Sequence, residues 1–351
     1  MKKFTSLLLS LWAAILLISC NPDGNEVPLG EFEKGGILIM NEGAFGANDG
    51  EVSFYEFAQE SARPNIFEAA NNRPFAGLLQ DMVEHNGHIY LVANTGKVEV
   101  VNAGDFKSVG AVEGLDISRS AIVTNNKLYI SDWGPYDANF NNPESYIAVV
   151  ENVKGGPIAS KIPVESRPEG LIVVNNQLLL ASSAARKLSV INLSQDTVSR
   201  TMDITGRPSF FFESGNNLFL YAHDASNVYF HEINKSNITI SRTITVDLSG
   251  ATSNFALGRD NSIYIITSTG WPDNNDAVAK VNLSNGSVSN PELFKGSGFY
   301  GIGYRNSARE IYIADNNGFQ GNGSVIVINE SGQEVKTFTA GRGPSGFKFR
   351  E

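Results

Sequence analysis

Between Arg167 and Thr205 apolar and polar positions alternate in short blocks. Gly170 to Val174 is apolar, Asn175-Asn176 is polar, Gln177 to Ala181 is apolar, and Ser182 to Arg186 is polar. Lys187 to Asn192 then alternates, and Asp196 leads into Val198 to Ile204. Short runs bounded by turn formers read as strands, and an Asn-Asn pair suits the positive φ angles of a two-residue hairpin. The pattern predicts a four-stranded antiparallel meander.

A lone meander of this kind has two apolar faces and needs neighbours to cover them, so copies of the unit are expected along the chain. The second strand recurs seven times, at Ile37-Leu38-Ile39, His88 to Leu91, Lys127 to Ile130, Gln177 to Leu180, Asn217 to Leu220, Ser262 to Ile265 and Glu310 to Ile313. A third strand follows each, as at Val98 to Asn102 and Val325 to Asn329. Six of the copies have a turn just before the second strand, among them Asn86-Gly87, Asn125-Asn126 and Asp260-Asn261. The first copy lacks the strand that such a turn would join. At the other end of the chain, Arg342-Gly343-Pro344-Ser345-Gly346-Phe347 repeats the opening of the unit, Arg167-Pro168-Glu169-Gly170-Leu171. That segment supplies the missing inner strand and closes a ring.

Residues 36–351 divided among seven copies leave about 45 residues each, the size of a four-stranded propeller blade. The fold expected is all-β, a seven-bladed β-propeller closed by its C-terminal strand. Six or eight blades are the fallbacks, because copies one and three carry insertions. Gly170, Gly301 and Gly346 suit a crowded axis, although a turn role fits Gly301 equally well.

Composition narrows the class. The 351 residues carry a net charge of −10 and are 42% hydrophobic. There is no basic stripe to neutralise phosphates, so no nucleic acid is expected as a partner. Residues 1–19 begin with Lys2-Lys3 and continue as an apolar run from Leu7 to Ile18, the anatomy of an export signal. Leu17-Ile18-Ser19-Cys20 resembles a bacterial lipobox, which makes Cys20 a lipidation site and residues 20–35 an acylated, flexible tether. The polar, acidic stretch after Cys20 is similar to a surface-export tag. The expected location is therefore the outer membrane, lipid-anchored and facing out of the cell. Cys20 is the single cysteine, which removes disulfides, thiolate metal sites and a thiol nucleophile from consideration.

In a propeller the loops joining second to third strands share one face with the connections between blades. Here those loops hold Asn41, Glu42, Phe45, Trp133, Tyr136, Phe140, Trp271 and Phe319. Aromatic side chains on exposed loops suggest a recognition surface, with folding back over the blade tops as the structural alternative. Arg167, Arg207 and Arg342 open blades on the same rim. They either line a central funnel for an anionic or carbonyl-rich ligand or bond to carbonyls of the next blade. No catalytic residue, metal site or cofactor is assigned. The four histidines have no metal-ligand spacing. Gly296-Ser297-Gly298-Phe299-Tyr300-Gly301 matches a dinucleotide motif but leads into a strand instead of a helix, so it lacks the phosphate-binding helix end.

The repeating unit resembles the YVTN/YncE-like propellers. Asn41-Glu42-Gly43 and Ser131-Asp132-Trp133-Gly134 are similar to the Bacteroidota lipoprotein branch of that superfamily, which includes the BtuG-type surface proteins that capture cobalamin. The resemblance implies a cell-surface ligand-binding lipoprotein, not an enzyme, that takes up a small-molecule corrinoid and hands it to an outer-membrane transporter. A glycan- or protein-binding propeller and a lactonase- or lyase-type enzyme are the alternatives. The enzyme would need an acid/base or metal cluster in the central funnel.

Overall fold

A computed structural model describes residues 29–270 and 272–351. The signal, the lipidation residue Cys20 and the rim residue Trp271 lie outside the described residues. Seven four-stranded antiparallel sheets are arranged as the blades of a propeller. In six of them the innermost strand comes first in sequence: Leu79–His85, Ser118–Thr124, Pro168–Val174, Arg207–Ser214, Ala251–Leu257 and Phe299–Arg305. In the seventh, here blade 1, the innermost strand is the C-terminal Pro344–Arg350, paired antiparallel with Gly36–Asn41 from Ile37↔Phe349 to Met40↔Gly346. The ring is thus closed by joining the two ends of the chain, as the repeated unit opening requires.

The hairpin turns take the predicted conformation. Asn125 and Asn126 sit at φ 50° and 60°, and Asn175 and Asn176 at 49° and 58°. Asparagine tolerates this left-handed region better than other non-glycine residues, because its short side chain bonds locally to the backbone.

Alternation along the second strands explains why the blades need each other. In blade 4, Leu178 and Leu180 pack with Tyr129 and Ile147 of blade 3. Leu179 and Ala181 face Leu218 and Leu220 of blade 5. Each interface between blades holds one such apolar cluster, the last being Tyr312 and Val325 of blade 7 against Ile37, Ile39 and Tyr55 of blade 1. A sheet with both faces apolar is stable only when both are covered, and the ring covers all of them.

The two ends of the barrel-like ring differ. Residues 29–35 lie against the turns between third and fourth strands, where Phe32 N donates to Gly104 O at 3.2 Å and Phe57 N donates to Gly35 O at 3.0 Å. The loops joining second to third strands and the blade connections occupy the opposite end. A six-residue helix, Ile66–Asn71, is set into the connection from blade 1 to blade 2 and buries Ile66 and Phe67.

Candidate functional site

Every innermost strand is irregular near its first turn. The pairing skips Gln80 in blade 2, Arg119 in blade 3, Glu169 and Gly170 in blade 4, and Ser209 and Phe210 in blade 5. It skips Thr252 to Asn254 in blade 6, Tyr300 in blade 7 and Ser345 in blade 1. A bulge leaves its extra residue out of the ladder and redirects its side chain. Repeated around a ring, it turns one or more residues of each blade out of the ladder at the loop-bearing end of the axis.

Four of these residues and Glu42 form one hydrogen-bonded arc across five blades. The Tyr300 hydroxyl donates to Glu42 Oε2, and Gln80 Nε2 donates to Glu42 Oε1 at 2.7 Å. An Arg119 Nη1 group donates to Gln80 Oε1. Arg119 Nε donates to Glu169 Oε2 at 3.1 Å, and Ser183 Oγ donates to Glu169 Oε1 at 3.1 Å. Side chains of blades 7, 1, 2, 3 and 4 meet in this way only at the axis. Burial raises the carboxyl pKa of Glu42, against the donors Tyr300 and Gln80 and the charge of Arg119. Tyr300 is pushed well above the usual phenol range by burial and by the same carboxylate. Deeper in the channel Ser120 Oγ donates to Asp81 Oδ2 at 2.6 Å, and Glu84 accepts from Arg350 at 2.8 Å and pairs with Lys348 at 3.3 Å.

The residues singled out in the sequence separate into three groups. Glu42 is at the axis, in the arc just described. Phe45, Tyr136 and Phe140 are exposed on the loop-bearing rim, at 96%, 51% and 75%. Tyr136 and Phe140 stand edge to face with ring centroids 6.2 Å apart. Arg207 is exposed at the start of its blade.

The others are occupied by packing. Asn41 is fully buried, and its amide donates to Glu51 Oε1 at 2.7 Å and Ser53 Oγ at 3.0 Å, so it braces blade 1 out of reach of any ligand. Trp133 is held between the guanidinium groups of Arg119, at 4.4 Å, and Arg167, at 4.8 Å. Phe319 leans edge-on against Tyr300 at 5.2 Å. Arg167 does not reach the funnel: its Nε donates to Asn142 Oδ1 at 2.8 Å and its Nη2 to Phe140 O at 2.9 Å, which clamps the 133–145 loop. Arg342 pairs with Asp49 at 2.8 Å. The arginine at the axis is Arg119, which the sequence reading passed over along with Gln80 and Tyr300. Its position does carry a signal, since Ser118-Arg119-Ser120 aligns with Pro168-Glu169-Gly170 as a unit opening. Among the described residues no cluster of three or more His, Cys, Asp or Glu has a metal-holding arrangement.

A cleft of about 960 Å³ lies away from the axis, beside Thr267 to Thr269, Asp276 and Lys295 of blade 6. Thr269 and Asn275, between the second and third strands of blade 6, are in its lining. Its one buried carboxylate, Asp276, is turned to the next blade, where Oδ2 accepts from Phe299 N at 2.8 Å. The converging chemistry is at the funnel and not in this cleft.

Comparison of the sequence with curated proteins finds no match. Solved structures show the same fold at low identity. A periplasmic gluconolactonase of Pseudomonas aeruginosa is 13% identical with a TM-score of 0.65, over 89% of this chain and 98% of that one. A quinonprotein alcohol dehydrogenase-like protein of Bacteroides thetaiotaomicron is 11% identical with a TM-score of 0.65, over 91% of this chain and 79% of that one. A candidate 6-phosphogluconolactonase of Bacteroides fragilis is 9% identical with a TM-score of 0.65, over 92% of this chain and 99% of that one. These likenesses correct the expectation that the chain is not an enzyme. Propellers bearing the names of lactonases share its ring, and weak catalytic motifs in the sequence are no ground for setting catalysis aside. The family model described as "Domain of unknown function (DUF5074)" matches residues 35–343, and the chain belongs to that family.

Proposed function

We propose that the protein captures a large nutrient such as cobalamin on its loop-bearing face and passes it to an outer-membrane transporter. The observation that carries this reading is the group of exposed rim aromatics, Phe45, Tyr136 and Phe140, standing on the same end as the polar arc around Glu42 and Arg119. Exposed rings gain nothing from folding, whereas a corrin offers flat apolar faces for them and an edge of amides for the arc. Export by residues 1–19 and lipidation at Cys20 complete the proposal. Residues 29–35 lie on the far end of the ring, so an anchor there leaves the rim pointing away from the bilayer. Two or three acyl chains, at about 0.8 kcal/mol per buried methylene, suffice for stable attachment.

Calorimetric titration with cyanocobalamin tests the ligand. Saturable binding at micromolar concentration or tighter is expected, and the paired change Tyr136→Ala and Phe140→Ala should weaken it about tenfold, the effect of losing roughly 1.4 kcal/mol. Absence of heat at micromolar concentration rules the corrinoid out. Labelling with a palmitate analogue, lost on Cys20→Ser, together with protease accessibility on whole cells, tests the anchor and the orientation.

A second reading is hydrolysis of a cyclic ester, favoured by a buried carboxyl, Glu42, whose pKa is raised and which stands in one arc with a phenol and a guanidinium. Acid release from glucono-1,5-lactone at a rate no greater than the uncatalysed one would remove it.

A further inference from the structure

The rim arginines suggested an anionic or carbonyl-rich ligand, but the geometry of the axis points the other way. We infer that the axial funnel is a subsite for uncharged or cationic groups that donate hydrogen bonds, such as hydroxyl, amide or ammonium, and that it turns away carboxylates and phosphates. The inference rests on the reading that this end of the ring binds a ligand, and does not require the ligand to be a corrinoid.

Three observations carry it. The arc holds two carboxylates, Glu42 and Glu169, and one cation, Arg119. That cation is already paired, with Nε on Glu169 and Nη1 on Gln80. An entering anion would find its natural partner neutralised and two like charges beside it, an arrangement that rejects by repulsion as well as by lack of attraction. A donor finds the remaining lone pairs of the same carboxylates. Both oxygens of Glu42 are already hydrogen-bonded within the arc, one to Gln80 and one to Tyr300.

Two of the three rim arginines are spoken for, and the third, Arg207, is exposed at the start of blade 5, outside the arc. Arg167 is committed to Asn142 and to the carbonyl of Phe140, and Arg342 to Asp49. Deeper in the channel two acids, Asp81 and Glu84, stand against two bases, Lys348 and Arg350.

Blades 5 and 6 complete the ring. Blade 5 contributes Phe210 from its bulge, 38% exposed, and the adjoining position in blade 4 is Gly170. A methyl group on Gly170 would come within 2.6 Å of Ser209 O and 3.1 Å of Phe210 Cα, so blades 4 and 5 are closed against each other at this point. With Ser209 beside Phe210 and Thr252 to Asn254 in the bulge of blade 6, these blades add one ring and several neutral polar groups but no charge.

Three sugars that differ in charge on one ring, D-glucose, D-glucosamine and D-glucuronate, test the selectivity by saturation-transfer NMR at millimolar concentration. Glucose and glucosamine are expected to bind, and glucuronate at least tenfold more weakly. Gln80→Glu, which adds a third carboxylate beside Arg119, should widen that gap, and the double variant Glu42→Gln/Glu169→Gln should close it to within about twofold. Glucuronate binding as tightly as glucose to the unaltered protein overturns the inference, as does a failure of all three sugars to bind or a preference that survives the double variant. Because the sugars are read independently of cyanocobalamin, failure of the corrinoid titration leaves this result standing, and the reverse also holds.

Discussion

The crowding of innermost strands at the axis makes a graded prediction for three glycine-to-alanine changes. In each, what decides the outcome is the atom the new methyl group meets. At Gly301 it would lie 2.3 Å from Ser345 O, 2.5 Å from Ser345 C and 3.0 Å from Ser345 Cα, all backbone of the closing strand. Neither strand can move alone, because each is paired on its outer side. At Gly170 the methyl would meet Ser209 O at 2.6 Å and Phe210 Cα at 3.1 Å, backbone of the next blade but fewer atoms at close range. At Gly346 its neighbours are the end of a flexible side chain, Met40 Cε at 2.8 Å and Sδ at 4.0 Å, which can swing aside.

Overpacking that forces backbone shifts costs about 1–3 kcal/mol. Against this, alanine gains about 0.4–1 kcal/mol by restricting the unfolded chain. Gly301→Ala should therefore lose about 2–3 kcal/mol, Gly170→Ala about 1–2, and Gly346→Ala should stay within roughly 0.5 of zero. Urea denaturation followed by far-ultraviolet circular dichroism measures all three, read as shifts in midpoint at constant slope. Equal losses at the three positions, or the largest loss at Gly346, would refute the reasoning that contact with backbone sets the penalty.

Arg167→Ala removes two hydrogen bonds and a stacked cation from the 133–145 loop. Limited proteolysis within that loop should accelerate severalfold while global stability falls by about 1–2 kcal/mol. Burial raises the carboxyl pKa of Asp81, so the folded protein holds that proton more tightly than the unfolded chain. The stability this lends is present in acid and is lost as pH rises from the unfolded value, about 3.9, through the folded one, and Asp81→Asn should flatten the stability profile over that range in denaturation at stepped pH. A steeper profile in the variant would contradict it. His231 has the opposite sign: burial lowers its pKa while its ring bonds to Thr205 O at 2.9 Å and Thr243 Oγ1 at 2.8 Å. Its contribution is present above about pH 6.5 and is lost as pH falls through the lower folded value. The acid-side loss between pH 7 and 5 should therefore shrink in His231→Asn.

Much of the ring was legible in the chain because its determinants are local. Alternation along the second strands requires two apolar neighbours per blade, and the observed clusters supply one at each interface. Turn pairs such as Asn175-Asn176 specify hairpins through their own backbone preference. The repeated opening at Arg342 to Phe347 had only one vacant place to pair, beside Ile37 to Ile39. The rim aromatics were legible only as a set: Phe45, Tyr136 and Phe140 are exposed, whereas Trp133 and Phe319 from the same kind of loop are packed.

The funnel was decided elsewhere. Gln80, Arg119 and Tyr300 are scattered across three blades, and Tyr300 reaches Glu42 across 258 positions of sequence. What gathers them is a bulge in each innermost strand, a matter of register between strands that no single stretch of residues announces. For the same reason Asn41 and Arg167 looked like rim groups until packing gave them partners, Glu51 for one and Asn142 for the other. Periodicity and turn chemistry act within a few residues, so they determined the blades, their number and the closure. Which side chains meet at the axis depends on the closed ring, because only closure brings Glu42 of blade 1 and the first strands of blades 7, 2, 3 and 4 within hydrogen-bonding distance.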